Sequence, residues 1–373
     1  MDLNTLIREE MQKECKKAIP FSRYMELALY HPTYGYYMSD KPKVGKEGDF
    51  FTSATVHSVF AETVADAVIK MWRAGNIKAP TLVEIGGGTG ALCGHMLDRF
   101  REAVPDLYPL LTVIMIEASP YHRKIQQEVL SSHDVAKEWF TSLEEAANQR
   151  QIEGVIVSNE WLDAFPVHIA EKTKAGWQEV WVTDGGDGFL EGLNEVTPEL
   201  GRYLESLDMT LPAGMRIEVN LSLQQAAKAV SRLLKKGFVI TIDYGDLQEE
   251  LYHPSRKQGT LMCYYRHQAH DNPYIHTGGQ DITAHVNFSA WSKYGEDVGL
   301  REWAYMRQDR FLIKSGLLEK AVAHTDTDPF TSMAMKRNRA IMQVMDPAGL
   351  GGRFRVMVQA KGLDEEIKKS LYE

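Results

Sequence analysis

The stretch TLVEIGGGTGAL, Thr81 to Leu92, holds the residues best suited to chemistry. An apolar strand runs into a glycine-rich turn and then a helix. Gly86, Gly88 and Ala91 fit G-x-G-x-x-A, the dinucleotide fingerprint. Gly86, Gly88 and Gly90 equally fit G-x-G-x-G, the S-adenosylmethionine fingerprint. Both ligands need glycine because the backbone turns sharply and the ligand approaches it closely. They part on charge. A dinucleotide sets a pyrophosphate at the helix amino end; S-adenosylmethionine has no phosphate and brings an ammonium, a sulfonium and a carboxylate. Glu84 stands two residues before Gly86. A carboxylate there repels a pyrophosphate and suits a cation. Glu117, at the end of the next strand, can accept hydrogen bonds from both ribose hydroxyls and serves either ligand. The charge pattern favours S-adenosylmethionine. The competing readings are a plain strand-to-helix turn and an NAD-dependent oxidoreductase, for which no nicotinamide site is found.

These residues need a scaffold that brings strand ends together. From residue 80 onward, apolar runs alternate with amphipathic ones: TLVEI, LLTVIMIEAS, GVIVSNE, MRIEVN and GFVITIDYG are expected strands, with helices over Leu92–Phe100, Tyr121–Leu130 and Ser222–Lys236. Strands apolar on both faces, alternating with helices, imply a parallel sheet covered on both sides. Residues 2–30 suggest two short helices split by Pro20, and residues 55–73 an amphipathic helix. HIAEKTKAGWQEVWVTD alternates as an antiparallel hairpin. In the tail, DRFLIKSG and FRVMVQAKG look like strands. The expected division is an amino-terminal helical segment with an aromatic loop, 1–75, and a core, 76–373, with insertions at about 166–210 (the hairpin) and 247–295 (a lid or substrate loop).

The 373 residues carry 42 Lys plus Arg against 51 Asp plus Glu, a formal charge of −9, so a broad nucleic-acid surface is not expected. The scattered Cys15, Cys93 and Cys263 suggest neither a disulfide framework nor a cysteine metal site. The amino terminus has no signal-peptide apolar core and is too acidic for a transit peptide; with no apolar run of membrane-spanning length, a reducing cytoplasm is the expected location.

SRYMELALYHPTYGYY, GDFFTS, VEIGGGTGAL, SNEWLDAFPV, TIDYG and GTLMCYYRHQAHDNPYIHTGGQDITAHVNF, in that order, carry a resemblance to the MidA family of S-adenosylmethionine-dependent methyltransferases. It runs from about residue 20 to the last strands. It departs inside the glycine loop, where Gly87 and Thr89 replace the Pro or Ala and the Arg or Ser of many relatives. The resemblance implies an α/β, Rossmann-like methyltransferase fold: a doubly wound, mostly parallel sheet with an N-terminal helical segment and two insertions. It implies S-adenosylmethionine as cofactor and a protein substrate. Eukaryotic members of the family are mitochondrial assembly factors for respiratory complex I that methylate protein arginine. A homodimer is compatible with it. The alternatives are a small-molecule methyltransferase, or a cofactor-binding assembly factor with little turnover.

Given that resemblance, SNEWLDAFP sets Asn159, Glu160 and Asp163 at a strand mouth where a transferable methyl should point. An arginine acceptor needs a carboxylate to orient its delocalised guanidinium. Glu160 is the first candidate and Asp163 the second, with helix capping as the competing role. In GGQDITAHVNF, Asp281 and His285 stand at i, i+4; the resemblance draws Asp281 toward substrate, while two ligands alone do not define a metal. Gly48 in GDFFTS permits close approach, Asp49 can meet the methionine ammonium, and Ser53 its carboxylate or a helix cap. Trp139 and Phe140, near the third strand's end, can flank adenine or simply fill core.

Overall fold

Apolar runs bounded by polar or glycine turns become strands here, and the amphipathic runs between them become helices. The structure, a computed structural model, describes residues 2–43, 48–49, 57–325 and 332–372. It divides into two compact units, one joining residues 1–50, 162–224 and 245–291, the other joining 51–161, 225–244 and 292–373.

The second unit holds β1 (Thr81–Ile85), β2 (Thr112–Ile116), β3 (Ala136–Phe140), β4 (Ile152–Asn159), β5 (Leu234–Asp246), β6 (Arg301–Arg307) and β7 (Phe354–Lys361) in one sheet, ordered 6-7-5-4-1-2-3. Strands β1 to β5 run parallel, while β7 runs antiparallel to both β5 and β6. The dinucleotide order 3-2-1-4-5-6 has no such reversed strand. Register aligns Phe140, Ile116, Ile85, Ser158 and Thr241 across the sheet. Gly86, Glu117 and Asn159 therefore leave it along one edge. The strand order reverses between β1 and β4, which is where doubly wound sheets open a ligand crevice.

Helices cover this sheet: α1 (Ser58–Ala74), α2 (Ala91–Ala103), α3 (Pro120–Val129) and α4 (Leu143–Gln149) among them. Phe60, Val64, Val68 and Trp72 recur every fourth residue on α1, Leu92, Met96 and Phe100 do so on α2, and all are buried. Each such side chain contributes about 1.5–3 kcal/mol on burial. Trp72 and Phe100 lock the two helices, ring centroids 4.7 Å apart.

In the first unit the expected hairpin forms from His168–Thr173 and Gly176–Asp184. Ala18–Pro20, Phe189–Asn194 and Met215–Val219 extend it to a five-stranded antiparallel sheet. Leu3–Lys13 and Phe21–Tyr30 are helices, as expected, and Ile7, Met11, Phe21 and Met25 join Val180 and Val182 in one core.

Two expectations need correction. MRIEVN pairs with the hairpin instead of entering the parallel sheet. Its apolar Met215, Ile217 and Val219 alternate with charged Arg216, which pairs with Glu171 on the neighbouring strand at 2.9 Å, and Glu218, which is buried and accepts from the Thr260 and Leu261 N–H groups. Alternation of that kind marks antiparallel strands. DRFLIKSG lies in a helix, Gln308–Lys314, with Asp309 in its first turn and Lys314 in its last. Those charges complement the helix dipole and favour the helix, and three apolar residues in a row are too few to fix a period. Asp281–Thr283 is a short strand paired with Met262–Tyr265.

Candidate active site

The glycine loop after β1 has left-handed backbone at Gly86 (φ +68°), Gly88 (φ +50°) and Gly90 (φ +77°). An L side chain in that region costs about 1–2 kcal/mol. Space matters as well. A Cβ on Gly87 would lie 2.7 Å from the Glu84 carboxyl carbon, whereas one on Gly88 would meet nothing within 4 Å. The loop thus packs on Glu84 from one side and leaves its Gly88 face open. Gly90 then caps α2.

Glu84 is 4% exposed, and its Oε2 has no hydrogen-bond partner among the described residues. Burial pushes its carboxyl up to about 8, the Cys93 N–H draws it down, and the charge of Glu117 raises it further. Glu117 is pushed up to about 7 by burial, against the backbone N–H groups of Ser119 and Gly88 and the charge of Arg123. The Ser119 N–H donates to its Oε1 at 2.9 Å. Two buried carboxyls of raised pKa beside an open glycine face favour a cationic ligand.

Gln126 on α3, which no sequence pattern marks, joins these groups. It is fully buried. Its Nε2 donates to the Gly88 carbonyl at 2.9 Å and approaches Glu117 Oε2 at 3.5 Å, while its Oε1 accepts from Trp139 Nε1 at 3.2 Å. The loop, Glu117 and Trp139 are therefore tied through one amide. Phe140 is 5% exposed, at the end of β3 beside Trp139.

At the end of β4, Asn159 Nδ2 donates to Glu160 Oε1 at 3.0 Å, and Asn159 Oδ1 is buried without a partner among the described residues. Glu160 has φ +54°, a conformation costly for a glutamate. Its N–H donates to the Ile242 carbonyl at 2.9 Å, and the next N–H, of Trp161, donates to Asp243 Oδ2 at 3.1 Å. Two bonds to β5 thus hold the strained turn in place.

The first unit gathers the other candidate acids around two tyrosines of the aromatic loop. Tyr36 donates to Asp49 Oδ2 at 2.8 Å, and the Arg266 N–H to Asp49 Oδ1 at 2.6 Å. Tyr37 donates to Asp281 Oδ1 at 2.7 Å, as does the Ile282 N–H at 2.9 Å. Asp281 is pushed up to about 6 by burial, with the Tyr37 bond opposing. The Asp163 charge also faces the Tyr37 phenol. Gly48 lies buried next to Asp49, and Ser53 lies outside the described residues. No group of three metal-ligating side chains occurs among the described residues, and no helix among them is long and apolar enough to cross a membrane.

A doubly wound sheet with one reversed strand, a glycine loop bordered by buried carboxylates, and a second acid at the next strand end define a Rossmann-like enzyme that takes an adenosine cofactor carrying positive charge. A family model described as an S-adenosyl-L-methionine-dependent methyltransferase matches residues 63–305, and the chain belongs to that family. A Burkholderia thailandensis protein solved bound to S-adenosyl-homocysteine is 31% identical, with TM-score 0.86 over 97% of this chain and 92% of that one. The "Protein arginine methyltransferase NDUFAF7 homolog, mitochondrial" of Drosophila melanogaster is 27% identical, the match covering 92% of this chain and 82% of the relative. The human "Protein arginine methyltransferase NDUFAF7, mitochondrial" is 25% identical, over 90% and 78%. The cofactor is S-adenosylmethionine, and the orphaned buried Glu84 oxygen, against Gly87 of the glycine loop, fits its cationic end.

The Gln126 amide gives a direct check. Gln126→Met keeps the volume and removes the bonds to Gly88 and Trp139. The dissociation constant for S-adenosylhomocysteine should rise about tenfold, two neutral hydrogen bonds at about 1 kcal/mol each less what the looser site recovers. Calorimetric titration measures it. An unchanged constant would show that the loop holds its shape without Gln126.

Proposed function

We propose that this methyltransferase acts on arginine side chains of a protein. The observation that carries the reading is Glu160, a carboxylate held in a left-handed backbone conformation at the mouth of β4. Such strain clusters at active sites, where the surroundings hold it in place. The names of the Drosophila and human relatives support the same substrate class.

In this reading Glu84 meets the ammonium of the methionine moiety, Glu117 the ribose hydroxyls, and Trp139 and Phe140 flank adenine. Gly86, Gly88 and Gly90 let the backbone approach. Both oxygens of Asp49 already accept bonds within its own unit, so the ammonium is assigned to Glu84. Asn159 orients Glu160 through its amide. The bound donor supplies a methyl group on a sulfonium. Glu160 accepts hydrogen bonds from the guanidinium, draws its positive charge toward the carboxylate, and leaves the far nitrogen richer in electrons. That nitrogen gains the methyl as the carbon–sulfur bond breaks, and the proton it sheds leaves to solvent. The enzyme contributes alignment and electrostatics. Asp163 and Asp281 are the remaining acids proposed for the substrate.

The test is to incubate the protein with S-adenosylmethionine labelled in the methyl group and a protein extract, then hydrolyse and separate the labelled amino acids. Label in methylarginines is the expected result. Label confined to small molecules, or no transfer despite cofactor binding, would remove the arginine reading.

A further inference from the structure

We infer that a cleft of the first unit binds an arginine-bearing, partly apolar peptide segment; the inference rests on the protein-arginine reading. The cleft has a volume of about 720 Å³ and is walled by the hairpin turn at 187–191 and the segment 272–279, with Asn4 and Tyr265 closing it. All of these residues belong to one unit.

Three observations define the occupant. The first is charge. Asp187 is exposed and has no partner among the described residues. Glu191, beside it, is held by the Tyr274 hydroxyl at 3.1 Å and by Arg216 at 2.6 Å. A free carboxylate at the mouth of a cleft attracts a cation. The second is aromatic surface. Tyr265 and His276 stack at 4.0 Å and 16°, and the Arg266 guanidinium already lies 5.1 Å from the Tyr265 centroid, so the ring is of the kind a planar guanidinium covers and the stacked His276 extends that surface. The third is apolar exposure: Leu190 is 60% exposed and Ile275 42%.

The same wall already holds an arginine of the chain itself. The Arg8 guanidinium lies 5.5 Å from the centroid of Phe189, its Nε donates to Asp184 at 2.9 Å, and its Nη2 donates to the Gly186 carbonyl at 2.9 Å. Carboxylate, carbonyl and ring together are the chemistry that recognises arginine. Asp187 and the Tyr265–His276 pair repeat two of those elements within the cleft; Arg266 lies over Tyr265, and among the described residues no arginine lies on Asp187.

The test uses the whole protein and a fluorescein-labelled dodecapeptide of Gly, Leu and Arg, with a control in which Glu replaces Arg. Anisotropy should show binding of the Arg peptide alone, weakening as salt rises. Asp187→Lys combined with Ile275→Lys, both at exposed positions, should weaken it at least about tenfold, as loss of one charged contact does. The S-adenosylhomocysteine constant should stay unchanged, which also reports that the variant is folded. Asp187→Asn is the milder second variant and should give an intermediate loss. Equal binding by wild type and variants, or by both peptides, would overturn the inference. Methylation of the peptide that ignores residues 187 and 275 would do the same and leave the arginine reading standing. Binding that depends on those residues, with no methyl transfer to any arginine peptide, would uphold the cleft and count against the arginine reading.

Discussion

Glu160→Gln should keep S-adenosylhomocysteine affinity within about threefold while methyl transfer falls by about 100-fold or more, the scale seen when one electrostatic contact to a transition state is removed. Glutamine has nearly the same shape and still accepts a bond from Asn159. It lacks the negative charge that orients and polarises a guanidinium. Glu160→Gly tests the other half of the argument. Glycine tolerates φ +54° at little cost, so the variant should gain about 1 kcal/mol of stability, less glycine's own entropy, while losing the reaction. Thermal melting and a methyl-transfer assay measure the two effects. If Glu160→Gln transfers methyl groups at the wild-type rate, Glu160 only shapes the turn, and the arginine mechanism loses its central residue.

The second large effect concerns pH. Without ligand, Glu84 is held up at about 8, so most of it is neutral at pH 7. A ligand ammonium beside it favours the ionised form, so binding expels a proton. Affinity for S-adenosylhomocysteine should therefore climb by up to about tenfold per pH unit between pH 6 and 8, where the free protein must first lose that proton, and level off above 8. Glu117, held up at about 7, steepens the lower part. Glu84→Gln should flatten the profile and weaken binding at pH 8 by about 10–100-fold, as loss of a charged hydrogen bond does. The folded protein responds in the opposite sense. A carboxyl raised from 4.5 to about 8 gives stability that is fully present below 4.5 and is lost as pH rises through 8. The ligand-free melting temperature should thus decline across that window, and Glu84→Gln should lessen the decline. A pH-independent dissociation constant would sink the assignment of the ammonium to Glu84.

What the sequence revealed depended on distance along the chain. The glycine loop, Glu84 and Glu117 were legible because strand, turn and helix are local, and because a parallel sheet puts successive strand ends on one edge. Gln126 was not, since its partner Gly88 is 38 residues away and a buried amide on a helix looks like any polar position. The bond between Tyr37 and Asp281 spans 244 residues, so no short pattern announces it. Within the aromatic loop, Tyr36 and Tyr37 make the bonds to Asp49 and Asp281. DRFLIKSG misled because its apolar run is shorter than one helical repeat, and MRIEVN because its place before a helix outweighed its own alternation. The backbone of Glu160 was invisible: neither glycine nor asparagine marks the left-handed position.

That last feature makes residue 160 a recorder of selection. In a lineage that kept the cofactor pocket but abandoned the reaction, mutation would find glycine or asparagine there and nothing would remove them, because either relaxes the chain. On the proposed mechanism, selection holds a glutamate at this backbone while its carboxylate is used and no longer. Among descendants of a common ancestor, the residue type at this one turn should therefore separate working enzymes from those that survive as binding proteins.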